Sequence, residues 1–290
     1  MTQHVIKQQE EIPLMEKPTK TALAKRLGIS RSMLYYRHNR PVVDEEIKRQ
    51  IESVWVNHPA YGHKRLAPEL KLNKKRILRV MKRFKMKPYR RRAKQPRKKN
   101  DEGKAAVENE VNVYKLLCPI WPYIVWVSDF TYIKYQGRFI YLATIMDMYT
   151  REIVGVAISR FHDKSLVLEA FMDAETHTGK HPFYLHSDQG SEYTSQEYKI
   201  YVKSKHIMLS FSEKGSPWQN GFQESFYGKF KVDLGEVNRF ETIGELIEAI
   251  HHTMYYYNND RRHTSLNMSP IAFRRSVLER RELLSNELGT

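Results

Sequence analysis

Three carboxylates stand in sequence settings that call for an explanation. Asp129 lies in "VWVSDFTYI", a run of aromatic and β-branched residues that reads as a buried strand, where aspartate is a poor fit. Asp188 closes a second apolar stretch in "LHSDQGSEY", and Gly190 behind it allows a turn. That places Asp188 at the carboxyl edge of a sheet, where α/β folds carry their sites. Glu224 falls near the start of a helix in "GSPWQNGFQESFYGKFK", with 35 residues between it and Asp188. Should the three converge, they form an all-oxygen donor set of the kind magnesium and manganese prefer. Two such ions about 3.5–4 Å apart ready an oxygen nucleophile, offset charge on a phosphoryl group and hold a leaving 3′-oxygen. Those are the demands of cutting or joining a phosphodiester. Singly, each acid also reads as an ordinary residue: Asp129 in a bulge, Asp188 in a turn, Glu224 on an exposed helix face.

The elements around them set the frame. Residues 123–135, 138–150 and 152–160 read as three strands, the first two joined by a tight turn at Gln136-Gly137, which makes an antiparallel meander. Residues 163–178 read as a helix closed by Gly179, then 182–188 as a buried strand, 195–204 as a helix and 207–211 as a short strand. Helices over 219–234 and 242–258 follow, and the last stretch reads as a helical tail. Three strands, alternating helix and strand, then helices is the order of a ribonuclease H-like α/β fold. Lys231 is seven residues after Glu224, so both project from one helix face, about 10 Å apart; alone it also reads as a solvent lysine. Gln219 and Asn220 precede that helix and either contact phosphate or base edges or cap it. Asp147, before a turn, reads as structural, and His186 as a packed histidine outside the site.

Charge is distributed unevenly. The 290 residues carry a net +16, yet residues 1–100 hold 28 of the 49 Lys/Arg and only 8 of the 33 Asp/Glu, leaving 21 and 25 for the remainder. A one-sided excess on helix-forming segments points to nucleic acid. Residues 19–38 have helix-turn-helix spacing: Leu23 and Leu27 one turn apart, a turn at Gly28-Ile29, Ser30 as a cap, and Met33, Leu34 and Tyr35 opening a second helix that presents Arg31, Ser32 and Arg37. Short helical hairpins also serve as plain packing elements. A helix over 44–57 follows, then "AYGHKRLAPEL" with Lys64 and Arg65, then a helix over 73–86 whose stripe of Ile77, Leu78, Met81 and Phe84 is surrounded by Lys74, Lys75, Arg76, Arg79, Lys82 and Arg83. The stretch 87–100, with Arg90, Arg91 and Arg92, reads as an extended linker that follows phosphates without reading sequence. These signals divide the chain into a helix-turn-helix (1–40), a second helical DNA-binding region with its basic linker (41–100), a linker (101–118), a catalytic core (119–275) and the tail (276–290).

With 41% hydrophobic residues the chain can bury a sizeable core. The lone Cys118 excludes an internal disulfide and a Cys-based zinc site within one chain. No apolar run approaches about 18 residues and the N-terminus is polar, so the expected location is the cytoplasm, with no membrane partner.

Taken together, the three acids match the Asp, Asp, 35-residue spacing, Glu pattern of integrases and transposases. The chain resembles insertion-sequence transposases of the second-open-reading-frame (orfB) type, whose core is similar to retroviral integrase. "YGHKRL", "WVSDFTYI", "HSDQGSEY", "GSPWQNGFQESFYGKFK" and "YYNNDRRHTSLNMSPIAF" carry the resemblance, which spans about residues 44–275. It implies that Asp129, Asp188 and Glu224 hold two magnesium ions, with manganese able to substitute, and that Lys231 contacts DNA near the cut. It implies hydrolysis at transposon terminal inverted repeats, freeing a 3′-OH that attacks target DNA, and self-association to pair two ends. The chain shows no leucine-zipper-like helix ahead of the core; in the family that part is commonly encoded by an upstream frame, so an orfA-type partner protein is implied. Two other readings stay open: a nuclease that cleaves without joining, and a non-enzymatic DNA-binding regulator.

Overall fold

The computed structural model describes residues 19–35, 40–90, 112, 119–213 and 216–288. Contacts divide the chain into two compact units, Met1–Arg49 and Gln50–Thr290. In the first, the helix Lys20–Arg26 is capped by Thr19, whose hydroxyl accepts from the Ala22 N–H at 3.3 Å. It ends at Gly28, whose φ of 62° is readily reached without a Cβ. The expected second helix is a 3₁₀ turn, Arg31–Tyr35. Ser30, expected to cap it, instead pairs with the Ser32 hydroxyl at 2.9 Å. Ala24 is buried, whereas Leu27 points outward, so Leu23 and Leu27 do not form the inward pair their spacing suggested. Residues 36–39, including Arg37, lie outside the described residues.

The next helix, Arg40–Asn57, contains the division between the units and starts four residues before the expected Asp44, with Pro41 in its first turn. In the second unit, the helix His63–Glu69 buries Leu66, and the helix Lys74–Arg83 buries Ile77, Val80 and Met81. Asn73 caps the latter, accepting from the Lys75 N–H at 2.8 Å. The expected extension to Met86 fails because Lys85 turns left-handed, at φ 53°.

Five strands form one sheet: β1 Val125–Tyr135, β2 Arg138–Asp147, β3 Ile153–Ser159, β4 Tyr184–Ser187 and β5 Met208–Phe211, in the order β3-β2-β1-β4-β5. The first three are antiparallel. Gln136 and Gly137, at φ 45° and 81°, make the left-handed pair that a two-residue hairpin with right-handed strand twist needs. β4 and β5 run parallel to β1, which requires crossovers. The helices Lys164–Thr178 and Gln196–Ser204 supply them; Asp163 and Ser195, read from the sequence as their first residues, are their N-caps.

Alternation along the strands splits the core in two. Trp126, Ala143, Ile145 and Leu185 pack with Leu166, Phe171, Tyr198 and Val202 of the crossover helices. Ile133, Ile140, Leu142 and Met146 pack with Phe226, Phe230, Leu246 and Ile250 from two further helices, Gly221–Leu234 and Ile243–Asn259. Helices on both faces of the sheet give the expected ribonuclease H-like layering. The helix Lys164–Thr178 lies so close to β3 that a Cβ on Gly155 would meet the Ala170 carbonyl oxygen at 2.2 Å. The last helix, Pro270–Leu288, is continuous, so the expected boundary between core and tail at 275/276 falls inside one element.

Candidate active site

Strand register brings the two aspartates together. Val127 of β1 pairs with His186 of β4 in parallel. Asp129 and Asp188 each lie two residues further on, one side chain repeat along neighbouring chains about 4.8 Å apart. The Phe130 N–H donates to Asp129 Oδ1 at 2.9 Å, and the Gly190 N–H to Asp188 Oδ1 at 2.9 Å. Glu224 is exposed, on the first turn of the helix Gly221–Leu234.

The residues beside Glu224 fix that helix over β1. Gln223 is fully buried; its Nε2 donates to the Val127 carbonyl at 2.7 Å and to that of Thr144 at 3.2 Å, and its Oε1 accepts from the Thr144 hydroxyl at 3.1 Å. Tyr227, one turn on, donates to the Asp129 carbonyl at 2.7 Å. Thr144 is the register partner of Asp129. Gln223 and Tyr227 therefore tie the strand of one acid to the helix of another. Sequence reasoning passed over both, although their i, i+4 spacing on the face of Phe226 and Phe230 marks them as inward-facing. Gln223→Leu leaves two carbonyls and a hydroxyl without this partner, and should lower the unfolding free energy by about 2 kcal/mol, read by chemical denaturation.

Electrostatics show the same convergence. The Asp129 carboxyl is pushed up to about 7, first by burial, then by Asp188 and, more weakly, Glu224; the Phe130 N–H and Lys231 oppose this. Burial and the Asp129 charge also raise the Tyr193 and Tyr227 hydroxyls well above their usual range. Lys231 Nζ donates to the Thr131 hydroxyl at 2.6 Å and sits 5.3 Å from the Tyr132 ring centre, so it reaches the same strand as Asp129. Glu192 is a further acid here: a Cβ on Gly190 would meet Glu192 Oε2 at 2.8 Å and Asp188 Oδ1 at 3.0 Å. Its other oxygen lies 3.1 Å from His162 Nε2. Its motif, "HSDQGSEY", was visible, but the turn that folds Glu192 back beside Asp188 was not.

Other residues singled out in the sequence take different places. Asp147 is fully buried and accepts from the Tyr123, Tyr149 and Thr150 N–H groups and the Thr150 hydroxyl, which makes it a turn-holding residue. Burial pushes His186 down to about 4, so it is neutral, with Nδ1 2.7 Å from the Ser210 hydroxyl. Gln219 faces inward: its Oε1 accepts from the Glu213 N–H at 2.6 Å and from Asn112 at 2.7 Å. Asn220 occupies the N-cap position yet makes no side-chain cap bond. Arg31, Ser32, Lys64, Arg76, Arg79 and Arg90 are exposed. Arg65 is not; its guanidinium stands 5.6 Å from the Tyr61 ring centre, half-buried. Arg91 and Arg92 lie outside the described residues.

The donors suit a hard divalent cation: all are carboxylate oxygens, and one is crowded by like charge that a cation would relieve. Among the described residues no three His, Cys, Asp or Glu side chains close around a single ion. Asp129 and Asp188 supply a pair, and the exposed Glu224 couples to Asp129 more weakly.

A layered α/β sheet with one acid inside its central strand, a second just past the end of the parallel strand beside it, and a third on the covering helix, is the arrangement of an integrase-type core. Two family models, both described as the integrase core domain, match residues 121–217 and 205–270. A 31 kDa protein of insertion element IS600 from Shigella sonnei is 32% identical over 261 residues, covering 85% of this chain and 95% of that protein. The transposase of IS904 from Lactococcus lactis is 32% identical over 254 residues, covering 79% and 95%, and a putative transposase of IS150 from Escherichia coli is 27% identical, covering 85% and 90%. The chain belongs to the insertion-sequence transposases with an integrase core, enzymes that move DNA by polynucleotidyl transfer. Among solved structures, the HTLV-2 integrase catalytic core in complex with magnesium aligns at 20% identity and a TM-score of 0.46, over 53% of this chain and 98% of that one. A simian T-cell lymphotropic virus intasome aligns at 16% and 0.49, over 74% and 70%. No helix among the described residues is long and apolar enough to cross a membrane.

Proposed function

We propose that Asp129, Asp188 and Glu224 are the catalytic carboxylates of this transposase and hold two magnesium ions, with manganese able to substitute. The observation that carries the reading is the strand register that sets Asp129 beside Asp188, with Glu224 and Lys231 close enough to bear on the Asp129 carboxyl. When bound, the ions supply charge stabilisation at the phosphoryl group and activation of the attacking oxygen. Asp129 and Asp188 stand on the rigid sheet and set the position of the site. Glu224, on a side chain with three torsions, turns in from the helix to complete it. Lys231 exchanges its bond to Thr131 for a DNA phosphate beside the cut.

The substrates are transposon terminal inverted repeats and target DNA. Arg31 and Ser32 in the first unit, Lys64, Arg76 and Arg79 on the later helices, and Arg90, Arg91 and Arg92 are the residues assigned to DNA contact, with base reading given to the helical units. The inward-facing Gln219 and Arg65 are left out of that set. The active form is a homo-oligomer, since two ends must be paired, and works with an orfA-type partner in the bacterial cytoplasm.

The test is a joining assay on labelled DNA carrying the inverted repeats that flank the gene. Strand-transfer product with magnesium, and none with EDTA, is the expected result. Nicking without joining turns the assignment to a nuclease. Binding without any chemistry, with the upstream partner supplied, turns it to a regulator.

A further inference from the structure

A second charged cluster lies on the other side of the helix Gly221–Leu234. Lys229 and Asp233 are five and nine residues beyond Glu224, roughly 140° and 180° around the helix from it. Four elements meet there. Arg65 comes from the helix His63–Glu69. Arg151 sits in the left-handed turn after β2, its guanidinium 3.5 Å from the Phe222 ring centre. Arg261 and His263 follow the helix Ile243–Asn259.

The charges do not balance. Arg65, Arg151 and Arg261 all bear on Lys229, and Asp233 is the carboxylate that opposes them. Asp233 is already engaged, accepting from Arg261 Nε at 2.5 Å. Two further acids lie nearby: Glu69, which pairs with Arg262 at 3.6 Å, and Asp260, which bears on His58. Arg261 is only 2% exposed, and its Nη1 is buried without a hydrogen-bond acceptor, as is Arg65 Nε. Buried guanidinium donors are costly when left without an acceptor, and surplus like charge adds to the cost. The cations also depress one another: burial, then Arg261, Arg65 and Arg151, pushes Lys229 down to about 8, and His263 falls to about 4 by burial, then by Lys229, Arg151, Arg261 and Arg65. Two buried guanidinium donors, a third guanidinium and an ammonium converging from four elements match a tetrahedral oxyanion, which accepts several charge-assisted hydrogen bonds at once.

We propose that Arg65, Arg151, Lys229 and Arg261 seat a backbone phosphate of bound DNA, away from the face that carries Glu224. The inference rests on the family's action on DNA and not on the carboxylate assignment. It also gives Arg65 a DNA contact of a different kind from the exposed one its sequence suggested: a buried donor that meets a single phosphate.

The experiment uses the full chain and Lys229→Gln. Melting is followed in chloride and in inorganic phosphate at equal ionic strength, and duplex DNA affinity is followed against salt. Wild type should melt higher in phosphate. Lys229→Gln should melt no lower than wild type in chloride, since a repelled charge is gone, and should lose most of the phosphate gain. Its DNA salt slope should fall by about one unit, the loss of one phosphate contact. A Lys229→Gln protein that melts lower or fails to fold, or an equal phosphate gain in both proteins, overturns the seat. A phosphate gain lost in the variant with an unchanged DNA slope reveals a seat for free anions and overturns the DNA assignment. Arg151→Gln gives a second reading of the slope, and an unchanged value there counts against the proposal in the same way. Asp188→Asn run in parallel should keep the wild-type phosphate gain and slope, so loss of the seat and loss of the carboxylate reading are separately visible.

Discussion

Asp188→Asn should bind transposon-end DNA as tightly as wild type and cut or join it at least about a thousandfold more slowly, on the scale of removing one member of a catalytic unit. The physical basis is narrow. Asn keeps the side-chain shape and the bond that Asp188 Oδ1 accepts from the Gly190 N–H, so the turn after β4 survives. What it removes is one negative charge from the sheet edge, and with it half of the aspartate pair that register sets side by side. An amide is a weak ligand for a hard divalent ion. Binding by gel shift and product formation by denaturing gel separate the two effects. A variant that still joins strands at a tenth of the wild-type rate or faster would remove Asp188 from the chemistry.

Asp129→Asn should make the metal-free protein more stable at pH 8, by less at pH 5, and leave it nearly unchanged near pH 4. The carboxyl of Asp129 is raised from 3.8 to about 7 in the folded chain, and returns to the ordinary value on unfolding. Between these values the folded state holds a proton that the unfolded state has lost. Stability is therefore full below about pH 4 and declines as pH rises through 7. A three-unit shift corresponds to about 4 kcal/mol at its limit, and partial exposure of the carboxyl reduces this to about 2 kcal/mol. Asn carries no charge to bury beside Asp188 and Glu224, so its unfolding free energy should stay flat where wild type falls. Denaturant melts at pH 5 and pH 8 give the comparison, and parallel pH profiles for the two proteins would refute the crowding. Magnesium should raise wild type at pH 8 and leave Asp129→Asn little changed. Taken with Asp188→Asn, these outcomes would mark a site where crowded charge weakens the metal-free fold and a cation relieves it.

Much of the catalytic unit was legible in the sequence. Alternation in 123–160 gave the antiparallel meander, because one-sided burial fixes period-two patterns, and Gln136-Gly137 gave its hairpin. Asp163, Gly179 and Ser195 marked helix ends, since caps and left-handed stops depend on local chemistry alone. The first unit was read less well. Gly28 placed the turn, but Leu27 and Met33 are exposed and the second helix is a 3₁₀ turn, because short segments have too little apolar surface for periodicity to decide.

By itself, the sequence determined the family, the order of the elements and which element carries or adjoins each acid, since each follows from local spacing and composition. Tertiary structure decided what those residues face. The parallel pairing of β1 with β4 set Asp129 beside Asp188, and Gln223 and Tyr227 set the height of Glu224 over them. It turned Gln219 inward, folded Glu192 back beside Asp188, and drew Arg65 from an apparent surface helix into a cluster with Arg261. Charge surplus and crowding belong to residues far apart in the chain, and their energies depend on burial and on distances that only the packed molecule fixes.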